Sequence, residues 1–381
     1  MRVKKTLTGL LVIVILHLLL LNCSHIQAGN TLNEKIKGMN YSGPGGGPFG
    51  LEPFTSMKAI GSNFVAFIPE AVVYQNTLKM RHAYSGDKAW YGETTEGVLE
   101  GIYQARKIGL KVMIKPHLYP GIDLTGFERP TFDRVDTAAR RAYYSKRYEY
   151  IQTLDFKTRE RSSWRGDLIP KDEAGWEILS EEYRKFILSY AVLADTMNIE
   201  LFCIGTELKA MALEKPDYWR NLITEVRGIY SGPITYAANW DSYDQITFWD
   251  DLDYIGIDAY FPLGDHRIPT VEQSVDDWQK YKKQIGRIQM SVDKAVIFTE
   301  WGYESEEYAG KTPWESNGLF NEEIQANLYE ATFQSFWNEP WFQGVFIWRW
   351  SPKDEFSTGT YNFSPKERAA EKVLEKWFKK D

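Results

Sequence analysis

Eight short runs rich in Val, Ile and Phe, helical stretches between them with apolar residues three and four apart, and no Gly-, Ser- or Pro-rich linker in 381 residues predict an α/β fold. The pattern is that of a single (β/α)8 TIM barrel with a long insertion after strand three, leaving about a hundred residues beyond the typical ~250 for loops. The strands read as 36–41, 63–68, 111–117, 200–204, 234–239, 254–259, 295–300 and 344–348. Each is almost continuously apolar rather than alternating, as a strand covered on both faces must be.

Ahead of the barrel, residues 1–28 read as an export signal. Arg2, Lys4 and Lys5 precede an apolar run from Leu10 to Leu21 that is too short for an ordinary spanning helix. Two cleavage positions compete: before Cys23, in the lipoprotein-type stretch Leu20-Leu21-Asn22-Cys23, and near Ala28. The expectation is an exported protein, either a periplasmic or cell-envelope lipoprotein or a secreted one, with one (β/α)8 domain over 29–381. Its membrane contact would come only through lipid on Cys23. After strand one, the Gly-rich stretch 43–50 reads as a turn, since no Lys-Ser or Lys-Thr follows to make a phosphate loop.

After strand three comes the polar, Arg- and Tyr-rich insertion 125–163, which leaves the C-terminal end of a barrel strand, the face where such folds place their sites. Its Tyr143, Tyr144, Tyr148 and Tyr150 interleave with Arg140, Arg141, Lys146 and Arg147, which fits a short helix with its rings on one side. It either walls one end of a ligand groove or is a solvated excursion; the sequence leaves these two readings level. Beyond it, Trp176, Leu179, Tyr183, Phe186, Ile187, Tyr190 and Ala194 trace one helix face. Val271, Val275, Trp278 and Ile285 trace a second, and Ala370, Val373, Leu374 and Trp377 the last.

A net charge of -7 gives no electrostatic footprint for nucleic acid. Aromatic residues make up 15% of the chain, including 14 Trp and 23 Tyr, more ring surface than a core requires and suited to stacking on a flat ligand. Of the 2 cysteines, Cys23 belongs to the signal and Cys203 reads as a small buried hydrophobe, so no intrachain disulfide is expected. With 5 His, no His-x-His and no His-Glu-x-x-His, neither a metal nor a cofactor is expected. There is no Gly-x-Ser-x-Gly nucleophile elbow.

Glu207 stands at the mouth of strand four and Glu300 ends strand seven. A carboxylate closing an apolar strand needs a polar cavity or a partner, so both belong on the barrel rim. Two carboxylates on one rim supply an acid and a nucleophile for opening a glycosidic bond. The other strand ends carry what a sugar needs: Lys115 and His117 after strand three, Asn239 and Trp240 after strand five, Tyr260 after strand six and Trp348 at the end of strand eight. Indole faces stack on sugar C–H surfaces while amide, phenol and amine groups take the hydroxyls.

The chain here resembles clan A retaining glycoside hydrolases. The stretches Gly109-Leu110-Lys111-Val112-Met113-Ile114-Lys115-Pro116-His117, Trp164-Arg165-Gly166-Asp167, Gly205-Thr206-Glu207-Leu208 and Phe298-Thr299-Glu300-Trp301-Gly302-Tyr303 are similar to glycoside hydrolase family 113, known chiefly for β-1,4-mannanases. The resemblance runs from about Lys35 to Trp377, including Phe363-Ser364-Pro365-Lys366. It implies Glu207 as acid/base, Glu300 as nucleophile, Trp164, Asn239, Trp240, Tyr260 and Trp348 as sugar contacts, and β-mannan or a related polysaccharide or oligosaccharide as substrate. The same chemistry on another β-glycan, or a non-catalytic glycan-binding lipoprotein, are the alternatives. One departure stands out: many clan members carry Asn before the acid/base, where this chain has Thr206, so the usual contact to the sugar 2-hydroxyl must be made otherwise.

Overall fold

The computed structural model describes residues 32, 34–43, 48–82, 91–128, 136–315, 318–350 and 362–380. The chain divides into two units, Met1–Thr31, which lies outside the described residues together with the stretch read as an export signal, Cys23 and both expected cleavage positions, and Leu32–Asp381. Among its described residues the second unit holds eleven strands in chain order: β1 (Ile36–Tyr41), β2 (Phe64–Phe67), β3 (Glu70–Tyr74), β4 (Met80–His82), β5 (Lys111–Ile114), β6 (His117–Gly121), β7 (Leu201–Thr206), β8 (Ile234–Asn239), β9 (Tyr254–Asp258), β10 (Ala295–Trp301) and β11 (Phe342–Ile347). Eight of them, β1, β2, β5, β7, β8, β9, β10 and β11, close into a barrel in that order. All its pairings are parallel, and β1 meets β11 at Ile36↔Gly344. These are the eight runs read from the sequence.

The interior of the barrel is filled by Phe64, Met113, Leu201, Cys203, Tyr254, Ile297, Phe346 and their neighbours, all fully or almost fully buried. Cys203 is the small buried hydrophobe expected of it, its thiol pushed up to about 11 chiefly by burial. Gly38 is required by this packing, because a Cβ there would lie 2.3 Å from the Phe346 ring. Between strands and outer helices sits a second, larger apolar layer.

The outer helices follow the sequence periodicity. They are α1 (Glu52–Ala59), α2 (Thr95–Lys107), α3 (Thr137–Thr153), α4 (Glu173–Thr196), α5 (Lys209–Glu214), α6 (Pro216–Arg227), α7 (Val271–Val292), α8 (Glu322–Phe336) and α9 (Ala369–Phe378). Helix α4 starts at an Asp172 cap that accepts from the Gly175 amide, and it buries Trp176, Leu179, Tyr183, Phe186, Ile187, Tyr190 and Ala194, the face read from the sequence. Helix α7 starts at a reciprocal capping box between Thr270 and Gln273 and buries Trp278 and Ile285. Helix α9 buries Ala370, Leu374 and Trp377.

Two features depart from expectation. The run 111–117 is not one strand: β5 ends at Ile114, and His117 opens β6 in a separate three-stranded sheet of order β4-β3-β6. The cause is Pro116, which has no amide for the barrel ladder, just as Pro69 ends β2. Beyond the two prolines the chains re-pair as β3 and β6, joined at once by the His117 amide donating to the Pro69 carbonyl at 2.9 Å. The insertion 125–163 does contain a helix, α3, but its rings do not share one side. Tyr143 and Tyr150 pack on Phe127, whereas Tyr144 and Tyr148 are 52% and 64% exposed. Within α3 only Ile151 is buried.

Candidate active site

The carboxylates come to the rim through two local irregularities. Glu207 follows β7 with φ of 52°, a left-handed conformation that costs a residue with a Cβ energy. It is held by its amide donating to the Ala237 carbonyl at 2.8 Å. In β10 the pairing with β9 steps from Phe298↔Ile257 to Glu300↔Asp258, so Thr299 is an extra residue, a bulge. Bulged, Thr299 donates its hydroxyl to Asp258 Oδ1 at 2.8 Å.

Glu300, 5% exposed, is surrounded by groups that favour its charge. Lys115 Nζ donates to Oε1 and also reaches Asp258 Oδ1 at 3.4 Å. Tyr260 donates its hydroxyl to Oε2 at 3.0 Å. His117 Nε2 lies 3.2 Å from Oε1, out of line for a good hydrogen bond. Burial alone would raise the Glu300 pKa, but the Lys115 ammonium above all overcomes it and holds the carboxyl well below the usual carboxylate range. His117 itself is pushed down to about 3, first by burial and then by the Arg165 and Lys115 charges, so its ring is neutral at neutral pH. Asp258 is pushed well up, first by burial and then by the Glu300 charge, against the pull of Lys115.

Glu207 is shifted the other way. Burial is the largest cause, the nearby Glu300 charge adds to it, and Arg165, Lys115 and a hydrogen bond with Trp164 oppose it. The two rim carboxyls are thus split, one pushed towards the ionised form and the other towards the protonated one. That is the division of labour an acid and a nucleophile require.

Both face a cavity of about 470 Å³. His117, Trp164, Asn239, Trp240, Tyr260 and Trp348 line it with the two carboxylates. Trp348 lies parallel to the His117 ring, with centroids 5.9 Å apart and planes 12° apart. Lys115 is the exception among the expected sugar contacts. Its side chain is fully buried behind Glu300, so its ammonium serves the carboxylates rather than a sugar. Thr206 is also turned away, its hydroxyl donating to the Pro116 carbonyl at 3.3 Å.

Further groups at the site escaped the sequence reading. Asp258 ends an apolar strand just as Glu207 and Glu300 do, and that signal was there to be used. Arg165 and Asp241 line the cavity, Asp241 accepting from Asn239 at 2.9 Å and from Lys209 at 2.7 Å. Phe363 and Trp314 come from distant loops. Trp314 stacks on Trp240 with centroids 5.3 Å apart, and nothing local in the sequence announces it. Gly166 is needed beside Arg165, because a Cβ there would lie 2.2 Å from the Trp164 ring.

The model of glycoside hydrolase family 113 matches residues 151–362, from the end of the insertion through both rim carboxylates to the last strand. The chain belongs to glycoside hydrolase family 113. Solved structures agree with this family 113 barrel in fold. A complex structure of a family 113 β-1,4-mannanase superposes with a TM-score of 0.67 at 22% identity, covering 91% of this chain and 100% of that one. The family 113 β-mannanase from Alicyclobacillus acidocaldarius, in complex with ManMIm, superposes with a TM-score of 0.66 at 23% identity, covering 91% and 97%. A Ruminococcus gnavus β-glucuronidase shares the barrel more loosely, with a TM-score of 0.51 at 12% identity over 91% of this chain and 50% of that one. No curated protein matches the family 113 chain in sequence.

Proposed function

We propose that this chain hydrolyses β-1,4-mannosidic linkages in mannan or manno-oligosaccharides by a retaining double displacement. The observation that carries the chemistry is the split pair: Glu300 is held towards its ionised form by Lys115 and Tyr260, while Glu207 is pushed towards its protonated form, chiefly by burial. Glu300 attacks the anomeric carbon as Glu207 gives its proton to the leaving oxygen. The glycosyl-enzyme ester then forms with Glu207 as carboxylate, which draws a proton from water, and the water displaces Glu300. Negative charge therefore passes from Glu300 to Glu207, where Arg165 faces it. Trp164, Trp240 and Trp348 supply faces for sugar rings, and Asn239 an amide for hydroxyls.

The substrate assignment is supported by family membership and by the β-1,4-mannanases that share the fold. A reducing-sugar assay on a panel of β-glycans, with proton NMR of the first-formed anomer from manno-oligosaccharides, tests both halves. Release of the β-anomer first supports the proposal. An α-anomer would end the retaining mechanism, activity confined to another β-glycan would end the mannan assignment, and activity on none would favour a glycan-binding protein. We further propose export with lipid on Cys23 as the membrane contact, which mass spectrometry of the mature N-terminus tests; a chain starting near Gly29 would mean a protein without that lipid.

A further inference from the structure

The three-stranded sheet carries a second set of titratable groups, half-buried, that the reaction above does not use. The parallel register sets Glu70 beside His117 and Val72 beside Tyr119, so Glu70 and Tyr119 lie on one face of the sheet. The opposite face of β3 puts Ala71 and Val73 into the core. On the Tyr119 ring, 4.6 Å from its centroid, rests the Arg165 guanidinium. Arg165 lines the cavity with Glu207, and its Nη1 is buried with no protein partner. Behind the ring, the Glu70 carboxyl faces Tyr119 and the carboxyl of Glu93, which ends the short 3-10 turn Tyr91–Glu93. Two carboxyl groups in such contact hold a proton between them, so the pair bears a single negative charge near neutral pH. Burial raises both carboxyls: Glu93 goes up to about 8, the Glu70 charge adding to burial, while in Glu70 the Glu93 carboxyl, Arg165, Tyr119 and Arg349 oppose the rise and make it the member that ionises first.

We propose that Glu70 and Tyr119 are positioning residues for Glu207: the Glu70–Glu93 pair anchors Tyr119, Tyr119 carries Arg165, and this train sets how much positive charge the guanidinium presents to Glu207. The inference rests on reading Glu207 as the acid/base. Its sign follows from the charges. Arg165 lowers the Glu207 pKa, and the negative charge of Glu70 draws the guanidinium back and so keeps the acid protonated. Other groups facing Glu70 are His117 on β6 and Arg349 after β11, neither of which reverses that sign.

The test is a ¹³C NMR titration of the Glu207 carboxyl in the free protein, its signal identified by its loss in E207Q, alongside the pH profile of kcat/KM on an aryl β-mannoside. E70Q should lower the Glu207 titration by at least about half a unit, roughly a threefold change in its acid dissociation constant, and move the alkaline limb with it. E93Q, whose amide still donates to Glu70, should leave both in place up to neutral pH. Y119F, which keeps the ring under the guanidinium but breaks the link to Glu70, should move them in the direction of E70Q and decides the matter should E70Q not fold. An unmoved titration in folded E70Q or Y119F, or an equal shift in E93Q, overturns the proposal. The titration uses no substrate, so a protein that hydrolyses no mannan would defeat the functional reading and leave this one standing or falling separately.

Discussion

A buried carboxylate is a nucleophile near neutral pH only if something keeps it ionised, and at Glu300 Lys115 does so before Tyr260. K115M should therefore raise the Glu300 pKa by about 1–3 units. Protonated Glu300 cannot attack, so the acid limb of kcat/KM should move to higher pH by that amount while circular dichroism stays that of the parent. E207A should lower kcat about 10²- to 10⁴-fold on substrates with poor leaving groups and less on activated aryl glycosides, whereas E300A should spare neither, as stopped assays on both substrates would show. The left-handed φ of Glu207 also separates two variants in stability: E207G should exceed E207A by about 1 kcal/mol, read from urea denaturation, because only glycine is unstrained there. Glu207 and Glu300 were legible because a charge closing an apolar run is visible in one dimension. Lys115 was visible too, but its role was not, because only the closed barrel shows that its ammonium points behind Glu300 rather than into the cavity.

At the scale of elements, long periodic helices were legible and breaks within apolar runs were not. Helix α4 follows its predicted face residue by residue because burial on one side dictates a 3.6-residue period. The second sheet was hidden because β5 and β6 read as one run until Pro116 is recognised as the end of a ladder. Trp278, fully buried on α7 and donating its indole N–H to Thr332 at 2.9 Å, locks two outer helices together. W278A should cost about 3–5 kcal/mol in a chemical denaturation experiment. Helix α3 is the opposite case: it is held by Tyr143 and Tyr150 on Phe127 and by the Tyr150 hydroxyl donating to the Thr125 carbonyl at 2.8 Å. Replacing α3 by a short Gly-Ser turn should leave the melting temperature and aryl-glycoside hydrolysis nearly unchanged. The products from manno-oligosaccharides then report whether the insertion walls the groove, since a solvated excursion leaves them as they were.

For the whole molecule, strand number and order were legible because parallel strands covered on both faces have a composition of their own, and a closed barrel has few ways to order them. The site's electrostatics were not legible, because they depend on which charges end up a few ångströms apart after closure. Those charges have a distribution along the chain that bears on assembly. The cations beside the rim carboxylates, Lys115 and Arg165, precede the Met197–Asn198 turn that leads into β7, and Glu207, Asp258 and Glu300 all follow it. A chain divided at that turn would leave the fully buried Lys115 ammonium on one piece and its partners Asp258 and Glu300 on the other. Such fragments should stay unfolded apart and regain a folded barrel only when mixed, with a recombination rate that falls as salt is added.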